Sequence, residues 1–242
     1  MIYLVENTYF GLLSAVYKFY TEKPTNLKVY NNFSQLSFID DAIIVETDEE
    51  KANRIDKRLK SLLKRSNYYD IKVALKSGNA NAIDIIFNYI CEILNAQQDI
   101  SDNYNNNYVF SFSEILLKVK KEIHHLKGFI RFSKLENGIY YAFYKPDNDI
   151  IEMILPHFIS RYKSMPFILH DITFNKLCAY NGKEYKIVNK KIAPLKVKDD
   201  YNKLFKTYYE SVNISSRKNI KTMKNFMPKR YHVSMPERDE LL

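Results

Sequence analysis

FIRFSKLENGIYYAFYK, residues 129–145, is the stretch on which the fold turns. Two runs rich in aromatic and β-branched residues flank Glu136-Asn137-Gly138, and Asn-Gly takes the positive φ of a tight hairpin more readily than almost any other pair. The pattern predicts paired antiparallel strands over 129–135 and 139–145.

Working towards the C-terminus, PDNDIIEMILPHFISRYKSM (146–165) has the apolar spacing of a helix, which Pro156 should kink or split. PFILHDITF (166–174), KLCAYNG (176–182) and KEYKIV (183–188) then read as strands, the last two joined by a second Asn-Gly, Asn181-Gly182. Together these pieces predict an α+β fold, an antiparallel sheet of about five strands with helices on one face.

On the other side, Ser111 and Glu114 form a capping-box pattern ahead of ILLKVKKEIHHLKG (115–128). That helix should bury Ile115, Leu116, Val119, Ile123 and Leu126 and end on Gly128. Before it, QQDISDNYNNNY (97–108) has few core-forming residues and reads as a linker. The first third alternates strand and helix. MIYLVE precedes a helix with Asn7 as its cap, and DDAIIVETD precedes the helix DEEKANRIDKRLKSLLKRS (48–66). A more apolar helix, NANAIDIIFNYICEILNA, follows. The expected organisation is a smaller N-terminal α/β part over 1–96, a polar linker over 97–110, the central sheet over 111–198 and basic C-terminal helices over 199–242.

Composition narrows the function classes. At 242 residues with 46% hydrophobic and 27% charged residues, the chain can bury a sizeable core. MIYLVENTYF has neither a basic leader nor a cleavage site, and no run suggests a membrane span, so a cytoplasmic location with no membrane partner is expected. Cys91 and Cys178 stand far apart outside any C-x-x-C pattern, which excludes a cysteine-held iron–sulfur cluster or zinc finger within this chain. No Gly-rich phosphate loop, G-x-S-x-G elbow or H-E-x-x-H helix occurs, and five glycines leave little material for a nucleotide cradle. No cofactor and no metal site are expected.

The formal net charge is +9, which favours an anionic partner such as nucleic acid. Its distribution says more. Between Lys203 and Arg230 there are eight basic residues against one acid, Glu210, with Tyr208, Tyr209, Phe226 and Tyr231 nearby. Cations beside aromatic faces suit phosphates and stacked bases. Arg217, Lys218, Lys221, Lys224, Lys229, Arg230 and Tyr231 are the candidates there. Lys127 and Arg131, in HHLKGFIRF (124–132), form a second cationic corner, to which Arg161 adds. The plainer reading of that corner is helix capping by His124 or His125 with a salt bridge from Arg131.

His157, His170 and Asp171 are the candidates for acid–base chemistry. Neighbours on a strand face opposite ways, so the pair His170-Asp171 would cooperate only if other groups converged across the sheet. Three classes therefore stay open: a nucleic-acid-binding accessory protein, an enzyme acting on a nucleic-acid or nucleotide phosphate, and a protein-interaction scaffold.

The ordered motifs Glu122 with HHLKGFIRF, YYAFYKPDND, HFISRY, MPFILHD, LFKTYYESVNISSRKN and MPKRYH resemble a bacterial family of unknown function associated with DNA metabolism. The resemblance runs the length of the chain, loosely in the first third at TDEEKANRI and more closely from Glu122 onward. Phe167, Phe205 and His232 stand where that family usually has tryptophan. The resemblance implies a neighbour, since members are encoded beside a radical S-adenosylmethionine protein thought to modify or repair DNA, or are fused to a uracil-DNA-glycosylase-like domain. The family has no assigned activity, and with neither cluster-binding cysteines nor the motifs of a uracil-DNA glycosylase in this chain, its simplest role is to hold nucleic acid for an enzyme that acts on it.

Overall fold

In the computed structural model the described residues are 1–31, 42–195, Ser211 and Tyr231. They form two compact units, Met1–Lys120 and Lys121–Leu242. No helix among the described residues is long and apolar enough to cross a membrane.

The first unit opens with β1 (Ile2–Val5), α1 (Tyr9–Glu22), β2 (Lys28–Tyr30) and β3 (Ala42–Val45). The three strands are parallel in the order β2-β1-β3. Tyr3, Val5, Val29 and Val45 put their side chains into one core with Leu12, Leu13 and Val16 of α1. Thr8, not Asn7, caps α1 by accepting from the Gly11 N–H at 3.0 Å, while Asn7 accepts from the Asn31 amide.

The helix expected over 48–66 ends early, as α2 (Glu49–Leu62), and a further helix, α3 (Arg65–Ala74), follows it. Leu63 turns extended, and Asp99 accepts from the Lys64 N–H at 3.1 Å and from the Asn67 side chain at 2.9 Å. A carboxylate far along the chain thus serves donors that the local sequence leaves unmatched. Buried Asp56 joins three helices by accepting from Tyr9 Oη (2.8 Å), Tyr68 Oη (2.6 Å) and Lys60 Nζ (2.6 Å).

α4 (Ala82–Ala96) supplies Ile83, Ile86, Phe87 and Ile90 to the same core. α5 (Asn107–Phe129) begins four residues ahead of the capping box, so part of the expected linker is helix. The reason is Asn106, whose Oδ1 accepts from the N–H groups of Tyr108 (2.8 Å) and Val109 (3.3 Å). Ser113, inside that box, bonds back to the Val109 carbonyl instead.

The second unit holds the end of α5, then β4 (Ser133–Lys134), β5 (Tyr140–Tyr144), α6 (Ile151–Tyr162), β6 (Phe167–Asp171), β7 (Lys176–Tyr180) and β8 (Tyr185–Asn189). They form one five-stranded sheet in sequence order. The fold is α+β, but the sheet is mixed, because β5 and β6 run parallel with Tyr140 opposite Phe167 and Tyr144 opposite Asp171. A helix between two adjacent strands carries the chain back to its starting end, so the second strand must repeat the direction of the first. The other three pairings are antiparallel.

α6 runs unbroken through Pro156. Its stripe Ile151, Ile154, Leu155 and Phe158 is buried, and each such side chain stabilises the unit by about 1.5–3 kcal/mol, enough to offset the missing hydrogen bond. Phe132 packs against both Phe158 and Phe167, at 5.3 and 5.4 Å between ring centroids, which fixes the helix on the Tyr140, Phe167 and Tyr180 face of the sheet.

Both Asn-Gly turns form with positive φ, +84° at Gly138 and +95° at Gly182. They differ in surroundings. A Cβ at Gly138 would meet open space, whereas one at Gly182 would lie 2.5 Å from the Ser164 carbonyl oxygen. Gly138→Ala should therefore cost about 1–2 kcal/mol from backbone conformation alone. Gly182→Ala should cost clearly more, read as the difference between urea midpoints. Equal costs would mean that the Ser164 contact gives way.

Candidate functional site

The corner at the end of α5 assembles from three segments. Gly128 lies inside the last helical turn rather than beyond it, so it is not the left-handed cap expected of it. Arg131 does the capping: its Nη1 donates to the Gly128 carbonyl at 2.6 Å, satisfying an acceptor left over at the helix end. The histidines take another role. His125 sits between Phe129 (5.6 Å) and Tyr231 (6.5 Å) in a cluster of rings.

Lys127 on α5 and Arg161 on α6 both lie close enough to His157 to act on its charge. Burial first, then these two positive charges, hold the imidazole below its ordinary value. Arg131 and Arg161 act in the same way on the Tyr162 hydroxyl, whose value burial raises and their charges lower. Lys127, Arg131 and Arg161 are thus brought around His157 and Tyr162. No described carboxylate pairs with Lys127 or Arg161.

Tyr231, expected to present a face to a base, is 1% exposed. Its hydroxyl donates to Glu122 Oε1 at 3.0 Å and its ring packs on Phe129 at 5.7 Å, so it is buried against α5 and presents no face for stacking. Arg217, Lys218, Lys221, Lys224, Lys229 and Arg230 lie outside the described residues, as do the expected helices after Asp199.

Glu122 is the residue that sequence reasoning passed over. It is 3% exposed and accepts from the Asp147 N–H (3.0 and 3.2 Å), the Asn148 N–H (2.9 Å) and Asn148 Nδ2 (2.6 Å), in addition to Tyr231. These donors precede α6, whose own N-cap, Ile150, offers no side-chain acceptor. A carboxylate from α5 therefore supplies the anion that an N-terminus favours. The signal in the sequence was a lone acid on the apolar side of a helix, one position before Ile123.

Beyond that loop, polar groups collect at the carboxyl ends of the parallel strands. Tyr144 and Asp171 are cross-strand neighbours, and Asp171 is opposite Lys176 on β7. Asp171 is fully buried, with Oδ1 accepting from the Phe174 N–H at 3.0 Å. Burial, with Asp149 adding its charge, pushes Asp171 up to about 7. Lys176 donates to Asp149 at 2.6 Å. Tyr144 Oη, Asp149 Oδ1 and Asp171 Oδ2 are buried without a hydrogen-bond partner.

His170 faces the other side of the sheet. Leu195 N–H donates to Tyr141 Oη at 3.2 Å, and that hydroxyl lies 2.8 Å from His170 Nδ1. His170 is 1% exposed, and burial lowers its value. His157 belongs to the α6 side, as does Asp171, so the three candidates for acid–base chemistry do not share a pocket. Strand alternation places His170 one pleat away from the others. Among the described residues no group of three or more His, Cys, Asp and Glu side chains could hold a metal ion.

Comparison with curated proteins gives no match. A family model does match, over residues 80–237, from the start of α4 through the second unit and most of the C-terminal region. On that match the chain belongs to the family described as the domain of unknown function DUF4130.

Proposed function

We propose that the protein binds nucleic acid, DNA in the first place, and presents it to a separate modifying or repair enzyme. The observation that carries this reading is the convergence of Lys127, Arg131 and Arg161 at one corner, with no described acid paired to Lys127 or Arg161. Lys127 and Arg161, without a described counter-ion, seek an anion from outside, and a chain at +9 has the overall field to draw one in. The basic stretch from Arg217 to Arg230 belongs to the same reading as a second set of phosphate contacts. The partner suggested by the resemblance is a radical S-adenosylmethionine protein or a glycosylase-like protein. The His-based enzyme reading loses its support, since His170 and Asp171 point to opposite sides of the sheet.

Fluorescence anisotropy with labelled DNA against salt concentration tests the proposal. Affinity should fall steeply with salt, as counterions return to the phosphates. Changing Lys127 and Arg161 together to Ser should lower the slope of log affinity against log salt by about 1 to 2, because each lost phosphate contact contributes about 0.9. Absence of binding at low salt would refute the reading.

A further inference from the structure

The two edges of the five-stranded sheet differ. β4, at one edge, is two residues long and has little backbone to offer. β8, at the other, is five residues long, contains no proline and pairs with β7 in unbroken register, from Tyr180 opposite Tyr185 to Lys176 opposite Asn189. An antiparallel ladder alternates pairs that exchange both backbone bonds with pairs that exchange none. Bonds at the two ends of this ladder set the phase: the Asn181 N–H donates to the Glu184 carbonyl at 3.1 Å, and the Lys190 N–H to the Asn175 carbonyl at 2.7 Å. Lys186 and Val188 therefore bond to β7. Tyr185, Ile187 and Asn189 turn their N–H and C=O groups away from it, and no described residue meets them.

Proteins blunt such an edge with a bulge, a proline, a covering element or charge. Here the device is charge. Lys183, Lys186, Lys190 and Lys191 are exposed along the strand and beyond both its ends, none with an ion-pair partner among the described residues. Glu184 is the one acid between residues 183 and 191, and Asp149 nearby is already held by Lys176.

That charge chooses between occupants. A second β8 laid antiparallel about Ile187 would set Lys183 against Lys191, with four lysines to one glutamate from each copy, and like charges across a strand pair are destabilising. An acidic strand reverses the sign. Alternation puts Lys186, Val188 and Lys190 on one face and Tyr185, Ile187 and Asn189 on the other, which suits carboxylates on the first face and β-branched side chains on the second.

We propose that the outer edge of β8 docks an extended acidic segment of a partner protein, which adds to the sheet as a further strand. The main-chain groups of Tyr185, Ile187 and Asn189 supply the affinity, and the lysines select the partner. The inference goes beyond the nucleic-acid reading and does not depend on it.

The probe is a capped, labelled peptide of about eight residues, enough to span a strand, that alternates glutamate with valine. Its binding to the full chain, read by fluorescence anisotropy, should weaken at least about tenfold when every peptide nitrogen is methylated, because the charges stay and the backbone donors go. Lys186→Glu together with Lys190→Glu should weaken it by a similar factor. Hydrogen exchange at Tyr185, Ile187 and Asn189 should be fast in the free chain and at least about tenfold slower with saturating peptide, while Lys186 and Val188 stay slow throughout. Equal binding of the methylated peptide would make the lysines a general anion surface and overturns the proposal. Failure of the peptide to slow those three amides does the same. Slowing that follows protein concentration without peptide gives the edge to a second copy, and loss of DNA binding but not of peptide binding in the double lysine variant gives the lysines to phosphates. Either result overturns the acidic partner.

Discussion

Asp171→Asn is expected to flatten a pH dependence of stability that the wild-type protein carries. The wild-type carboxyl is raised to about 7 in the folded chain, burial first and then the charge of Asp149, while an unfolded aspartate titrates near about 3.9. The folded state therefore holds a proton that the unfolded state has released between those two values. The stability this represents is fully present below about pH 4 and is lost as pH rises toward 7. A separation of about three units corresponds to on the order of 4 kcal/mol. The side chain is fully buried, so water does not screen the effect away.

The groups facing that carboxyl are Tyr144 from β5, Asp149 ahead of α6 and Lys176 from β7, and Lys176 is already committed to Asp149. A second negative charge at Asp171 would thus have no cation of its own. Urea unfolding at a series of pH values from 5 to 8 should show the wild-type midpoint falling and the Asp171→Asn midpoint nearly level, with the variant the more stable of the two at pH 8. A variant that follows the wild-type slope would assign the dependence to other groups.

Glu122→Ala should be the most damaging single substitution in the second unit. It strips the acceptor from two backbone N–H groups, the Asn148 side chain and the Tyr231 hydroxyl, at a site that is 3% exposed. Leaving one buried donor unmatched costs about 1–3 kcal/mol, so a loss of about 3 kcal/mol or more is expected. Tyr231→Phe removes only one of these bonds and should cost about 1 kcal/mol. The double variant should cost less than the sum of the two single ones, since the bond between Tyr231 and Glu122 is lost in either of them. Hydrogen exchange at Asp147 and Asn148 reads the same event locally: their amides should be slow in the wild type and fast in Glu122→Ala. Slow exchange in the variant would mean that another acceptor replaces the carboxylate.

Features written into short windows of sequence were legible. Asn137-Gly138 and Asn181-Gly182 each place glycine where φ is positive, and the stripes of α4 and α6 follow the helical period. Features that depend on a distant partner were not. β2 is three residues long and gives too little pattern to distinguish from a loop. The break before α3 depends on Asp99, and the end of α5 on Arg131. Among the site residues, Lys127, Arg131 and Arg161 were visible as cations, but only the tertiary structure brings Lys127 and Arg161 to His157 and Arg131 and Arg161 to Tyr162. Tyr231 was visible as an aromatic among cations, and its contacts with His125, Phe129 and Glu122 take it out of solvent.

The sequence by itself determined the α+β class, the two glycine turns, the apolar stripes and the excess of positive charge, because each follows from residue chemistry acting over a few neighbours. The tertiary structure decided the rest. It made β5 and β6 parallel and turned Glu122 into the acceptor for the loop before α6. It also set Asp171 and His170 on opposite sides of one sheet. Burial and the approach of groups distant in sequence govern these outcomes: they determine whether a carboxylate finds donors, whether a proton stays on, and whether a cation is left without a counter-ion.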